Sequence, residues 1–157
     1  MTTAEKLVNA LIEKKLTCAA AESCTGGGVG YAITGVPGSS AVFMGGVISY
    51  DNSVKRDVLG VPEGVLSSNG AVSSECAAAM AEGARRLLKT DLAVSLTGIA
   101  GPGGGSVEKP VGLVWFGLAS KVGTTTEKKI FPGGREAVRT AAIDHALNLL
   151  LGAIDIL

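Results

Sequence analysis

The feature that most constrains this chain is a strand-like run that breaks off in glycines. Residues 16–22 are small, apolar and Thr-bearing, and they lead directly into Ser23-Cys24-Thr25-Gly26-Gly27-Gly28, after which a helical pattern resumes from Val29 to Thr34. That order is strand, glycine turn, helix. Glycine supplies 23 of 157 residues, roughly twice its usual ~7% share, without a collagen period or a Pro/Ser bias. Such use points to tight turns and to close approach of backbone to a ligand.

The rest of the chain extends the pattern. Residues 3–15 set Leu7, Leu11 and Ile12 at helical spacing behind Thr3 as N-cap. Val36-Pro37-Gly38-Ser39-Ser40 reads as a turn, residues 42–50 as a second strand, and Asp51 or Asn52 as the cap of a helix carrying Val54, Val58 and Leu59. Beyond Pro62, Ser73 or Ser74 caps a strong helix to Leu88, with Ala77, Met80, Ala81, Ala84, Leu87 and Leu88 on the side expected to meet a sheet. Residues 92–99 form a buried-strand pattern that ends in a second glycine-rich loop, residues 98–106. Residues 111–119 and 124–131, separated by Ser120-Lys121-Val122-Gly123, predict an antiparallel hairpin, and a last helix spans about 135–151. Early strand–helix alternation followed by a hairpin predicts one three-layer α/β domain over residues 1–157 with a mixed sheet.

Charge and cysteine content narrow the partners. Fourteen Lys and Arg balance fourteen Asp and Glu, so the basic footprint of a nucleic-acid or anionic-membrane binder is missing and a small-molecule ligand is expected. The first residues resemble neither a secretory signal nor a transit peptide, and no apolar run reaches the ~18 residues of a transmembrane helix. Cys18, Cys24 and Cys76 form no CxxC, and an odd number leaves a spare thiol. A reduced, cytoplasmic setting is expected.

Neither glycine-rich loop is a nucleotide fingerprint: Tyr31 and Ser106 stand where GxGxxG needs its last glycine, there is no Walker A motif, and Ala21 and Thr25 replace the glycines of a GxSxG elbow. The single histidine, His145, lies within the last helix among Ile143, Ala146, Leu147 and Leu149 and is read as structural. A Ser-His-Asp triad and a zinc cluster are thereby excluded, and no metal or other cofactor is expected. Ser23 stands at the strand-to-turn corner, where its hydroxyl can face a crevice and the amides of the turn, Gly26 and Gly27 among them, can hold an oxyanion or phosphate; as the bland alternative, Ser23 or Thr25 simply caps the next helix. Alternation sends the neighbouring Cys24 to the opposite side, into the core. Lys55 falls in the first turn of the helix after Asp51, where the helix dipole and Arg56 both disfavour an ammonium; a neutral lysine can take a proton from serine. Read blandly, Lys55 is a solvated surface lysine. Glu22, Glu108, Asp51 and Asp57 show no paired spacing and are read as caps, surface groups or supports of a site.

The run Ala21-Glu22-Ser23-Cys24-Thr25-Gly26-Gly27 resembles the opening motif of the CinA C-terminal domain family. Pro37-Gly38-Ser39-Ser40, Tyr50 with Lys55 five residues on, Gly70-Ala71-Val72-Ser73, Thr97-Gly98-Ile99-Ala100-Gly101-Pro102 and Lys109-Pro110-Val111-Gly112 agree in order and spacing, over residues 5–150. The resemblance implies an α/β/α fold with a mixed, mostly parallel five-stranded sheet ending in an antiparallel hairpin, a domain that family members often carry behind a larger N-terminal one. It also implies an activity, hydrolysis of nicotinamide mononucleotide to nicotinic acid mononucleotide and ammonia, in pyridine-nucleotide recycling. On that reading Ser23 is the nucleophile, Lys55 the base and Tyr50 a neighbouring active-site residue. Thr25, Ser40, Thr97, Gly98 and Gly101 are candidates for ribose and phosphate contacts, with Arg139 balancing the phosphate. Gly28, following the glycine pair, is expected to loosen the helix entry. The competing expectation is a non-catalytic nucleotide-binding or competence-associated module, which would keep the glycine loops without needing Lys55. Abundant Ala and Gly favour a homo-oligomer.

Overall fold

The computed structural model describes residues 1–157. Five strands, β1 (Cys18–Glu22), β2 (Phe43–Ile48), β3 (Leu92–Gly98), β4 (Leu113–Ser120) and β5 (Gly123–Ile130), form one sheet in the order β2-β1-β3-β4-β5. β1 pairs in parallel with β2 and β3, whereas β3–β4 and β4–β5 are antiparallel. Four strands therefore point one way and β4 alone runs back. Six helices cover the sheet: α1 (Thr3–Lys14), α2 (Gly28–Thr34), α3 (Asn52–Asp57), α4 (Glu63–Ser68), α5 (Ser74–Leu88) and α6 (Arg135–Ala153). The α/β/α architecture is the predicted one.

Strand alternation explains the layering. Cys18 and Ala20 of β1 join a core with Leu7 and Leu11 of α1 and Val138 and Leu150 of α6; Ala19 and Ala21 face the other way, onto Met80 and Ala84 of α5. β1 is buried throughout and tolerates only small side chains, because both layers and its neighbours press close: a β-carbon at Gly46 of β2 would lie 2.9 Å from the Ala20 carbonyl oxygen.

Several local expectations shift. α1 is capped by Thr2, whose hydroxyl accepts the Glu5 N–H while Glu5 returns a bond to the Thr2 amide, so the cap is one residue earlier than Thr3. Ile12 and Leu87, placed on buried faces by spacing, are exposed. α4 was not anticipated: it has six residues, none of them buried, and so no apolar period to read. Gly28 lies where α2 meets α6. A β-carbon there would collide with the tip of Ile143, so α2 lies on α6 as closely as a glycine allows. α6 is long and apolar enough to pass for a membrane span, yet Val138, Ala142, Ala146 and Leu150 are buried against the sheet and α1. His145 packs edge-on to Phe116, with ring centroids 4.6 Å apart, and bonds to Glu127, the structural role expected.

The architecture brings three strand ends together. Glu22, the last residue of β1, pairs with Ile48 at the end of β2 and with Leu96 near the end of β3. Residues just beyond these ends share one edge of the sheet, where open parallel sheets hold ligands.

Candidate active site

At this edge a cleft of about 210 Å³ is lined by residues from five parts of the chain, among them Ser23, Tyr50, Lys55, Thr97 and Arg135. Ser23 follows β1, and its amide still donates to the Leu96 carbonyl, at 3.0 Å, which keeps the corner attached to β3. Ser23 as a whole is 8% exposed. Lys55 reaches it from α3: Nζ lies 3.0 Å from Ser23 Oγ, 2.7 Å from the Ser49 carbonyl oxygen and 3.1 Å from that of Tyr50. At 1% exposed, Lys55 is no surface residue.

Those three partners dictate what the amine can do. Carbonyl oxygens only accept, so Ser49 and Tyr50 claim two N–H bonds in either protonation state. The remaining direction, toward Ser23, carries a proton in the ammonium and a lone pair in the neutral amine. Burial pushes the Lys55 pKa below the usual lysine range; Cys76, Asp51 and Cys24 act in the opposite sense but more weakly. The cause differs from the one read in the sequence. α3 is a short helix of six residues capped by Asp51, and Arg56 turns outward to Asp57 at 2.8 Å and Glu63 at 3.2 Å, so desolvation rather than a helix end or Arg56 depresses the lysine.

The other cleft candidates divide. Tyr50, 63% exposed, presents its ring at the mouth while its carbonyl holds Lys55. Thr97 and Gly98 line the wall, the Thr97 hydroxyl donating to the Ala71 carbonyl at 2.9 Å. Gly101 lends a carbonyl to Arg135 at 2.8 Å. Cys24 belongs to the core side, and burial pushes its thiol up to about 11, which leaves it protonated and unreactive at neutral pH.

Five predicted contacts lie elsewhere. Thr25 is buried behind the turn and spends its hydroxyl on Glu22 at 2.6 Å. Gly26 and Gly27 shape the turn, at φ +58° and +104°, and the Gly26 amide is committed to the Ser23 carbonyl as Gly28 is to Thr25. The amides of Cys24 and Thr25, by contrast, donate to no other group of the chain. Arg139 bonds the carbonyls of Cys24 (3.0 Å) and Thr25 (3.3 Å), clamping the turn from behind rather than facing the cleft. Ser40 precedes β2, whose first residue Phe43 pairs with Cys18 at the start of β1, so it stands at the opposite end of the sheet. Arg135, Asn52, Ala71 and Val72 were missed. Arg135 lies one helical turn before Arg139 on the same face, and that spacing was its only signal.

No cluster of three or more metal-ligating side chains is present, and all three cysteines are free and buried. What the cleft offers is a buried amine in contact with a serine hydroxyl, two uncommitted amides beside that serine and a cation at the rim. Groups of these kinds, so placed, can serve nucleophilic acyl transfer.

Relatives match nearly the whole chain. The chain is 50% identical over 149 residues to a CinA-like protein of Synechococcus sp. (strain RCC307), covering 94% of this chain and 36% of that protein. It is 51% identical over 147 residues to a CinA-like protein of Leptospira borgpetersenii, covering 93% and 35%. The chain thus spans about a third of the length of the curated relatives it matches. Among solved structures, the competence/damage inducible protein CihA from Agrobacterium tumefaciens superposes with a TM-score of 0.91 at 40% identity, over 99% of this chain and 97% of that one. A competence-damaged protein (CinA) superfamily protein from Klebsiella pneumoniae gives a TM-score of 0.95 at 32% identity, over 99% and 97%. The model of the CinA C-terminal domain matches residues 1–154, and the chain belongs to that family.

Proposed function

We propose that the protein is an amidohydrolase that converts nicotinamide mononucleotide to nicotinic acid mononucleotide and ammonia, with Ser23 as nucleophile and Lys55 as base. One observation carries the chemistry: the buried Lys55 amine lies 3.0 Å from Ser23 Oγ with its other two directions taken by carbonyls. The substrate comes from the family motifs; a carboxamide on an aromatic ring also suits a cleft with Tyr50 at its mouth and Arg135 at its rim.

In this mechanism the neutral Lys55 amine takes the Ser23 proton on its lone pair as Oγ adds to the carboxamide carbon. The developing oxyanion accepts the amides of Cys24 and Thr25. The Lys55 ammonium then returns the proton to the amide nitrogen, and ammonia leaves. Water, giving its proton to Lys55, adds to the acyl carbon and releases the acid as Ser23 regains its hydrogen. The tyrosine ring stacks on the pyridinium, and Arg135 meets the phosphate, the role first assigned to Arg139. We place this reaction in a reducing, cytoplasmic setting, in keeping with three unpaired buried thiols.

Purified protein mixed with nicotinamide mononucleotide should release ammonia, and Lys55→Arg should not, because arginine keeps the charge and stays protonated. The loss should be about 10² to 10⁴ in rate. Binding of the nucleotide with no ammonia released would favour a nucleotide-binding module; near-normal turnover in Lys55→Arg would leave the position a charge rather than a base.

A further inference from the structure

Glu22 stands one residue before the proposed nucleophile and is 3% exposed. Alternation turns its carboxylate away from Ser23, toward α2, where three donors converge on it. The Thr25 hydroxyl donates at 2.6 Å and the Val29 amide at 2.9 Å to one oxygen; the Gly30 amide donates at 3.1 Å to the other. These bonds bracket the whole turn from residue 23 to residue 30. The Glu22 main chain reaches the second half of the dyad: its carbonyl accepts the Ser49 amide at 2.8 Å and the Ser49 hydroxyl at 3.3 Å, and the Ser49 carbonyl is the nearest acceptor of Lys55.

The turn needs such a tether. Three successive glycines, two of them at positive φ, leave its backbone with more freedom than any other sequence would. Yet Ser23 Oγ and the amides of Cys24 and Thr25 have to be held to a fraction of an ångström for acyl transfer. We propose that Glu22 is a positioning residue of the Ser23–Lys55 pair, its carboxylate locking the turn that presents the nucleophile and the oxyanion amides. The proposal rests on the Ser–Lys reading above. Only an ionised carboxylate serves: three donors need an acceptor-only group, whereas glutamine would bring an N–H against one of the two amides.

The test separates positioning from mere stability. An alkyl fluorophosphonate reports nucleophile geometry without the natural substrate: Ser23 Oγ attacks phosphorus, fluoride leaves, and the serine proton passes to Lys55. Labelling rates are measured well below each variant's melting midpoint for wild type, Ser23→Ala, Glu22→Gln, Thr25→Val and Thr25→Ser, with kcat and KM for ammonia release alongside. Glu22→Gln and Thr25→Val should label about 10- to 100-fold more slowly, with kcat falling in parallel and KM within about twofold. Thr25→Ser, which restores the hydroxyl, should recover the wild-type rate. If Glu22→Gln fails to fold, the two Thr25 variants decide alone. Should wild type label at Ser23 while Glu22→Gln and Thr25→Val match it per folded molecule, the positioning proposal falls and the dyad stands. A wild-type protein that does not react at Ser23 would overturn both.

Discussion

If Lys55 is the base, one proton should govern both turnover and stability, and Lys55→Met isolates it. Methionine is unbranched, of similar length and carries no proton. In the folded protein burial holds the Lys55 pKa below 10.5, its value in the open chain. Between those two values the unfolded chain keeps a proton that the folded chain has shed. Stability must therefore rise with pH across that window, by up to about 1.4 kcal/mol per pH unit for one proton. Below the folded value the penalty of burying the ammonium is complete and constant; above 10.5 it has vanished. For a chain of this size 1 kcal/mol moves the melting midpoint by about 2 to 4 °C, so wild type should gain about 3 to 5 °C per pH unit relative to Lys55→Met inside the window. The variant also strips the Ser49 and Tyr50 carbonyls of a donor, at about 1 to 3 kcal/mol each. That cost is independent of pH and drops out of the slope. The assay is a pair of melting curves at intervals from pH 6 to 10.5, with initial rates of ammonia release at the same values. The rate should climb as stability begins to climb, because both follow loss of the same proton. A difference in melting midpoint that stays flat up to pH 10.5 would show that Lys55 carries no depressed pKa, and the base assignment would have to be withdrawn.

Other expected outcomes follow from the same geometry. Ser23→Ala should abolish ammonia release with an unchanged circular dichroism spectrum, whereas Cys24→Ala, removing a protonated core thiol, should keep most of the activity. Arg135→Ala should raise KM about 10- to 100-fold with kcat little changed, since a charged hydrogen bond to the substrate is worth about 1.5 to 3 kcal/mol; Arg139→Ala should instead lower the melting midpoint by several degrees, because its partners are the backbone carbonyls of Cys24 and Thr25. Exhaustive chelation should leave the rate unchanged; activity lost to chelator and restored by a divalent ion would reveal a carboxylate site that includes a residue such as Glu22.

Which parts of this arrangement can be read in the sequence depends on how far the cause lies from the residue. The corner after β1 is written in consecutive residues, so the strand, the glycine turn, the alternation that separates Ser23 from Cys24, and the start of α2 are all legible there. Ser40 was also decidable from local order: it precedes a strand, and ligands gather where parallel strands end. Lys55 is different. Its spacing from Tyr50 marks it, but its depressed pKa comes from burial in a pocket built by the nearby Ser49 and Tyr50 and by Ser23, which only the pairing of β1 with β2 brings to it. Helix position and the neighbouring Arg56 were the physical handles the sequence offered, and they pointed to the right direction for the wrong reason.

Arg135 and Arg139 mark the sharper limit. They share a helix face one turn apart, so periodicity cannot choose between them. The choice is made by where α6 crosses the turn, and there the tip of Ile143 rests on Gly28. With that contact in place Arg139 falls behind the turn, within reach of its carbonyls, and Arg135 reaches past it to the cleft rim. The third glycine of the run thus does more than shape the turn: a β-carbon there would press on the tip of Ile143, so the glycine favours the close approach of α6. Glu22 obeys the same logic at the end of β1. A charged residue closing an otherwise buried run must find partners in the fold, and the donors Glu22 finds are those that hold the nucleophile's turn and the start of α2.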